Sequence, residues 1–304
     1  MQKGRHELLR SVPSIDIRSP AILSRSDEQP DSAGATEAFV DPVVTYNFWG
    51  RVQGLDYPSL SPAQQEEFKA HFAQEVAHLK NWCTRHQWLP SISVADLKVF
   101  VSDEYKISKS LMPAAVGQHG RMEIPAWKAV AGEAAVAHEL VHVYFPNGNR
   151  LLAEGLAVYL QAEIGGNPAF PNFGRPLRET ARDMLRKMVP EFADGRAGRL
   201  DKVRLTDLDK IATPSALRLR VGLNLYQDDA SGQAHIYPLV GSFAQFLIDT
   251  YGLDKFRTIY QKTPLKPFER NPGAPQRWAE VYGISLDALA EEWKSKLGEG
   301  PACV

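Results

Sequence analysis

The stretch AVAHELVHVYF, Ala135 to Phe145, sets two histidines four residues apart, with a glutamate directly after the first, inside an otherwise apolar run. Such a run belongs in a core, and there each of the three polar groups is costly unless it finds a partner. On a helix, four residues advance about 6 Å and 400°, which leaves His138 and His142 one above the other on one face. One metal ion can then take a nitrogen from each. Glu139 lies about 100° around the helix from His138, where its carboxylate reaches a water on that ion without ligating the ion itself. The chain also carries HELLR, His6 to Arg10, which begins alike but has arginine where the second histidine would stand.

Two neutral imidazoles and one carboxylate suit Zn2+, and they leave a fourth tetrahedral position for a water whose pKa the ion lowers to about 7. The third ligand must come from elsewhere. Glu154, in RLLAEGLAVYL, is the candidate: eleven residues separate it from His142, and the short FPNGNR connection brings the facing sides of two helices together. One zinc ion per chain, held by His138, His142 and Glu154, is the expected cofactor. His71 and His78 lie on an amphipathic helix, and His6, His86 and His119 in polar surroundings, so these five are expected to be solvated or structural.

The chain's 304 residues can build one large domain or two smaller ones. Residues 1–40 mix Ser, Pro, Asp and Arg without periodicity, as a flexible leader would. SPAQQEEFKAHFAQEVAHLKNWC has Ser61 as N-cap, Pro62 at the first helical position, and Phe68, Phe72, Val76, Leu79 and Trp82 at helical spacing. DLKVFVSD and GRMEIPAW read as strands. The spacing then predicts one helix from Trp127 to Phe145, stopped at PNGN, and a buried helix RLLAEGLAVYLQAEI in which Gly155 permits close approach. Beyond Pro168, RPLRETARDMLRKM reads as a helix and KVRLTDL as a strand. YPLVGSFAQFLIDTYG, LDKFRTIYQ, PQRWAEVYG and SLDALAEEWKSKL read as consecutive helices, the last capped by Ser285. The expected class is α+β, with an upper lobe over 41–165 carrying the histidine motif and a mainly helical lobe over 166–304.

HELVH, then LLAEGLAVYLQ, then YPLVGSFAQFLIDTYG resemble the gluzincin branch of zinc metallopeptidases, the superfamily of thermolysin-like and aminopeptidase-like enzymes. Proteins of that kind place their third ligand in a W-L-x-E-G-x-A-x-Y pattern, which Leu151 to Tyr159 follow with leucine in place of tryptophan. Over about Ile92 to Leu297 the resemblance implies a zincin-like fold, a small mixed sheet and an active-site helix followed by a mainly helical C-terminal lobe. It also implies Tyr237, just ahead of the GSFAQFL helix, as donor to the tetrahedral intermediate, with His235 in reserve; anchoring a helix start is the competing role for Tyr237. GRMEI, Gly120 to Ile124, partly resembles the Gly-x-Met-Glu-Asn exopeptidase motif but departs from it at Ile124. A plain edge strand that pairs with substrate backbone is the preferred reading of that segment.

The functional expectation is a zinc-dependent peptidase acting on peptide or protein substrates, with Glu139 as general base. Two alternatives stay open: a non-catalytic zinc-containing peptide-binding module, and a zinc hydrolase for another amide or ester. Lysine and arginine number 35 against 36 acidic residues, a net charge of -1, so no global field directs the chain to nucleic acid or an anionic membrane. The two cysteines, Cys83 and Cys303, form neither a CxxC pair nor a disulfide framework. No apolar run approaches the roughly 20 residues of a bilayer span, and MQKGRHELLRSVPSIDIRSP lacks a signal-peptide core. The chain is expected to be soluble, cytoplasmic if complete and exported if a leader has been removed.

Overall fold

Parallel strands need a crossover, and the first third of the chain supplies one. In the computed structural model, β1 (Val43–Asn47) is followed by a hairpin of β2 (Trp49–Val52) and β3 (Leu55–Pro58), then by helix α1 (Pro62–His86), before β4 (Asp96–Ser102) returns parallel to β1. The structure describes residues 39–111, 119–166, 169, 171–190, 197–200, 204–210, 231–265 and 271–298, all within one compact unit, Thr36–Val304. All but the last two residues of the leader, 1–40, lie outside the described residues.

The local signals of α1 hold. The Ser61 hydroxyl accepts from the Gln64 N–H, and the Gln64 side chain accepts from the Ser61 N–H, a reciprocal capping box. Phe68, Phe72, Val76, Leu79 and Trp82 form the buried face, and the helix ends at Gln87 in the left-handed conformation, φ 50°.

Strands β5 (Lys109–Leu111) and β6 (His119–Pro125) complete a four-stranded sheet of order β1-β4-β6-β5, parallel except for β5, which runs antiparallel to β6. Leu97, Val99, Val101, Met122 and Ile124 point into the core from one face. The sheet corrects one expectation. GRMEI belongs to β6, which is paired on both sides, so it is an interior strand, and the sheet's edges are β1 and β5. Three residues, KSL, carry too little alternation to read as a strand.

A second correction concerns the helix expected from Trp127 to Phe145. It is two pieces, α2 (Ala126–Val130) and α3 (Val136–Tyr144), separated by a turn in which Gly132 adopts φ +67°. That backbone region suits glycine and breaks the helical path. His138 and His142 remain together on α3. Helix α4 (Arg150–Ile164) follows as expected, capped by the Asn149 side chain, which accepts from the Leu152 N–H.

Helix α5 (Leu177–Leu185), hairpin β7 (Met188–Pro190) and β8 (Ala197–Arg199), and a single turn α6 (Leu205–Leu208) come next. The LTDL of KVRLTDL is therefore helical rather than extended, and residues 201–203 lie outside the described residues. Arg204 pairs with Asp207 three residues on, which favours a turn of helix. Helices α7 (Ser231–Tyr251), α8 (Leu253–Gln261), α9 (Arg277–Tyr282) and α10 (Leu286–Gly298) close the fold, α10 capped by Ser285. Glycines set the approach of α4 and α7. A Cβ on Gly241 would lie 2.2 Å from a Val158 methyl, and one on Gly155 would lie 3.2 Å from the Val240 carbonyl oxygen. The class is mixed α+β with small sheets, and among the described residues no helix is long and apolar enough to cross a membrane.

Candidate metal centre

Helix α3 is buried on every side, so its polar residues must meet partners from neighbouring elements. Its first turn has no side-chain cap of its own. Gln161 of α4 supplies one, its Oε1 accepting from the His138 N–H at 3.0 Å. The connection FPNGN is tied down at both ends. Asn147 Oδ1 accepts from the Asn149 N–H and the Thr263 hydroxyl, and Asn149 Nδ2 donates to Asp209 Oδ1 and to the Pro272 carbonyl. Asp209 in turn pairs with Arg277, both buried. This network fixes the start of α4, and with it the direction in which Glu154 projects.

The result is a triangle of ligand atoms. His138 Nε2 and His142 Nε2 lie 3.2 Å apart, and Glu154 Oε2 is 3.3 Å from each. All three residues are buried, and among the described residues they form the one group of three or more His, Cys, Asp or Glu side chains spaced to hold a metal ion. Bonds of about 2.0–2.1 Å at tetrahedral angles give edges of about 3.3 Å between ligand atoms, so the donor set fits zinc in spacing as well as in chemistry. Neither carboxylate oxygen of Glu154 accepts a hydrogen bond; Oε1 is ion-paired with the Arg150 guanidinium and Oε2 faces the two histidines. A shared cation would satisfy all three crowded ligand atoms at once.

Electrostatics point the same way. Burial pushes the pKa of both histidines down to about 3, helped at His138 by the neighbouring His142 and at both by the Arg150 guanidinium. Neutral imidazoles keep their lone pairs for a metal. Burial raises Glu139, opposed in order by His138, the Ser110 hydroxyl of β5, Lys128 of α2 and Arg150. Burial also lowers Lys128, against the pull of Glu139 and Glu133.

Tyr237 reaches the site from α7, its ring stacked on His138 with centroids 5.6 Å apart and planes at 20°. It sits inside the helix rather than ahead of it, because α7 begins at Ser231 and carries Pro238 internally. His235 belongs to the same helix, and its side chain lies outside the described residues. Glu123, the glutamate of GRMEI, stays away from the cluster. Across the β5–β6 ladder it pairs in register with Lys109, whereas Ser110, which faces Glu139, points to the opposite side of the sheet. Arg121 and Lys109 each contact the Glu123 carboxylate at 2.7 Å.

Sequence reading missed Ser110, Lys128, Gln161 and Arg150. Only Arg150 left a signal, its place four residues before Glu154. Comparison with protein-family models, with curated proteins and with solved structures finds no match to this chain.

Proposed function

We propose that this chain is a zinc-dependent peptidase of the gluzincin kind, with a zincin-like fold, holding one zinc ion through His138, His142 and Glu154. The observation that carries the reading is the buried triangle of His138, His142 and Glu154 with the carboxylate of Glu139 on the same helix. Zinc at such a site lowers the pKa of a water to about 7 and polarises a carbonyl oxygen. Glu139 accepts the proton of the attacking water on its carboxylate and delivers it to the nitrogen of the leaving amine. Its burial, which raises its proton affinity, suits it to both transfers. The edge strand β5 favours peptides over other amides or esters, because an extended chain can add to that edge while Ser110 stays beside Glu139. Glu123, on the other face and neutralised by Arg121 and Lys109, is badly placed to hold a free amino terminus near Glu139, which argues against aminopeptidase action.

The purified chain should carry about one zinc and cleave members of a diverse peptide library, with cleavage abolished by a chelator and restored by added zinc. Zinc binding without any cleavage would support a peptide-binding module instead. Cleavage indifferent to chelation would refute the proposal.

The stacking of Tyr237 on His138 brings a phenol to the cluster, and its hydroxyl is the proposed donor to the developing oxyanion. Tyr237→Phe keeps the ring and removes that donor. The turnover number should fall by about 10² to 10³, roughly 3 to 4 kcal/mol, with little change in KM. Activity within a few fold of the parent would leave the ring as a packing partner of His138 and nothing more.

A further inference from the structure

We propose that Arg150 is a positioning residue of the metal centre: its guanidinium holds Glu154 Oε1, so that Oε2 alone faces the two histidines. The inference rests on the zinc reading above. Arg150 is the first residue of α4, one turn before Glu154, and its ion pair runs to Oε1, while Oε2 is the oxygen 3.3 Å from both imidazoles. The arginine side chain is only 10 % exposed, so the pair is made in a low-dielectric setting. Its backbone is held by the Asn149 cap and the bonds of Asn149 to Asp209 and Pro272.

A carboxylate free to rotate can present both oxygens to a metal and occupy two positions. With Oε1 taken, Glu154 is a one-oxygen ligand and room remains for water and a substrate carbonyl. Simple charge repulsion makes the opposite claim, since a buried cation beside a metal site should weaken metal binding and its loss should tighten it. The two accounts differ in sign.

The test is a zinc titration of the full, metal-stripped chain against a chromophoric chelator, for the parent, Arg150→Lys and Arg150→Met. Arg150→Met should raise the zinc Kd by about 10- to 100-fold, the usual cost of losing a partner that orients a ligand, with Arg150→Lys in between. Cobalt(II) substituted for zinc should absorb strongly in the parent and more weakly in Arg150→Met, as Glu154 offers its second oxygen and the coordination number rises. An Arg150→Met variant that binds zinc as tightly as the parent, or more tightly, overturns the proposal. If that variant does not fold, the order of parent and Arg150→Lys decides, and a lysine variant equal to the parent or tighter overturns it. A parent that binds no zinc removes the metal site itself, a failure distinct from a wrong role for Arg150.

Discussion

Glu139→Gln should keep the fold and the zinc and lose nearly all hydrolysis. The amide is close to isosteric with the carboxylate, and Glu139 is not among the three side chains of the metal triangle, so zinc content should stay at the parent level. The amide nitrogen and oxygen cannot take up the proton of the attacking water, and a positioned general base contributes typically 10²- to 10⁴-fold. Burial sharpens the contrast. Glu139 is 5 % exposed, and solvent has little access from which to replace the missing base. Removing a desolvated carboxylate also relieves a burial cost, so thermal stability should hold or rise slightly. Turnover of a peptide library by the two proteins, with zinc measured in both, is the experiment. Equal chelator-sensitive cleavage by parent and variant would remove Glu139 as the base.

What the sequence made legible follows from the range of each interaction. The pair His138 and His142 needs only helical geometry within five residues, and the break at Gly132 shortened the helix without disturbing it. Glu154 was within reach because FPNGNR is too short to do anything but turn the chain back. The capping of α1 by Ser61 is equally local. Strand position is a tertiary property, so GRMEI could be read as extended but not as interior, and the edge strand beside it, KSL, was too short to signal. Tyr237 was set ahead of the GSFAQFL segment by resemblance alone, whereas the helix begins six residues earlier, at Ser231, and contains both Tyr237 and Pro238. Gln161 was invisible for a different reason. Its bond to the His138 N–H spans 23 residues and exists only once α4 lies against α3.

His142→Ala should abolish zinc binding at working concentrations. The variant leaves His138 Nε2 and Glu154 Oε2 as the surviving members of the triangle, and with one of three protein ligands gone the affinity loss should exceed the 10- to 100-fold typical of losing a mere supporting partner. Elemental analysis reads this directly, and a thermal scan reads it independently. A ligand that binds only the folded state at about 1,000 times its Kd adds about 4 kcal/mol of stability, so the parent should melt markedly higher with zinc than without. In His142→Ala that zinc-dependent increment should shrink toward nothing. Because the increment is a difference taken within each protein, it is insensitive to the packing lost with the imidazole. Adding zinc to Glu139→Gln should restore the full increment, which separates a residue that holds the metal from one that acts beside it. Full retention of zinc by His142→Ala would mean that the triangle is not the metal's seat, and the peptidase reading would lose its foundation.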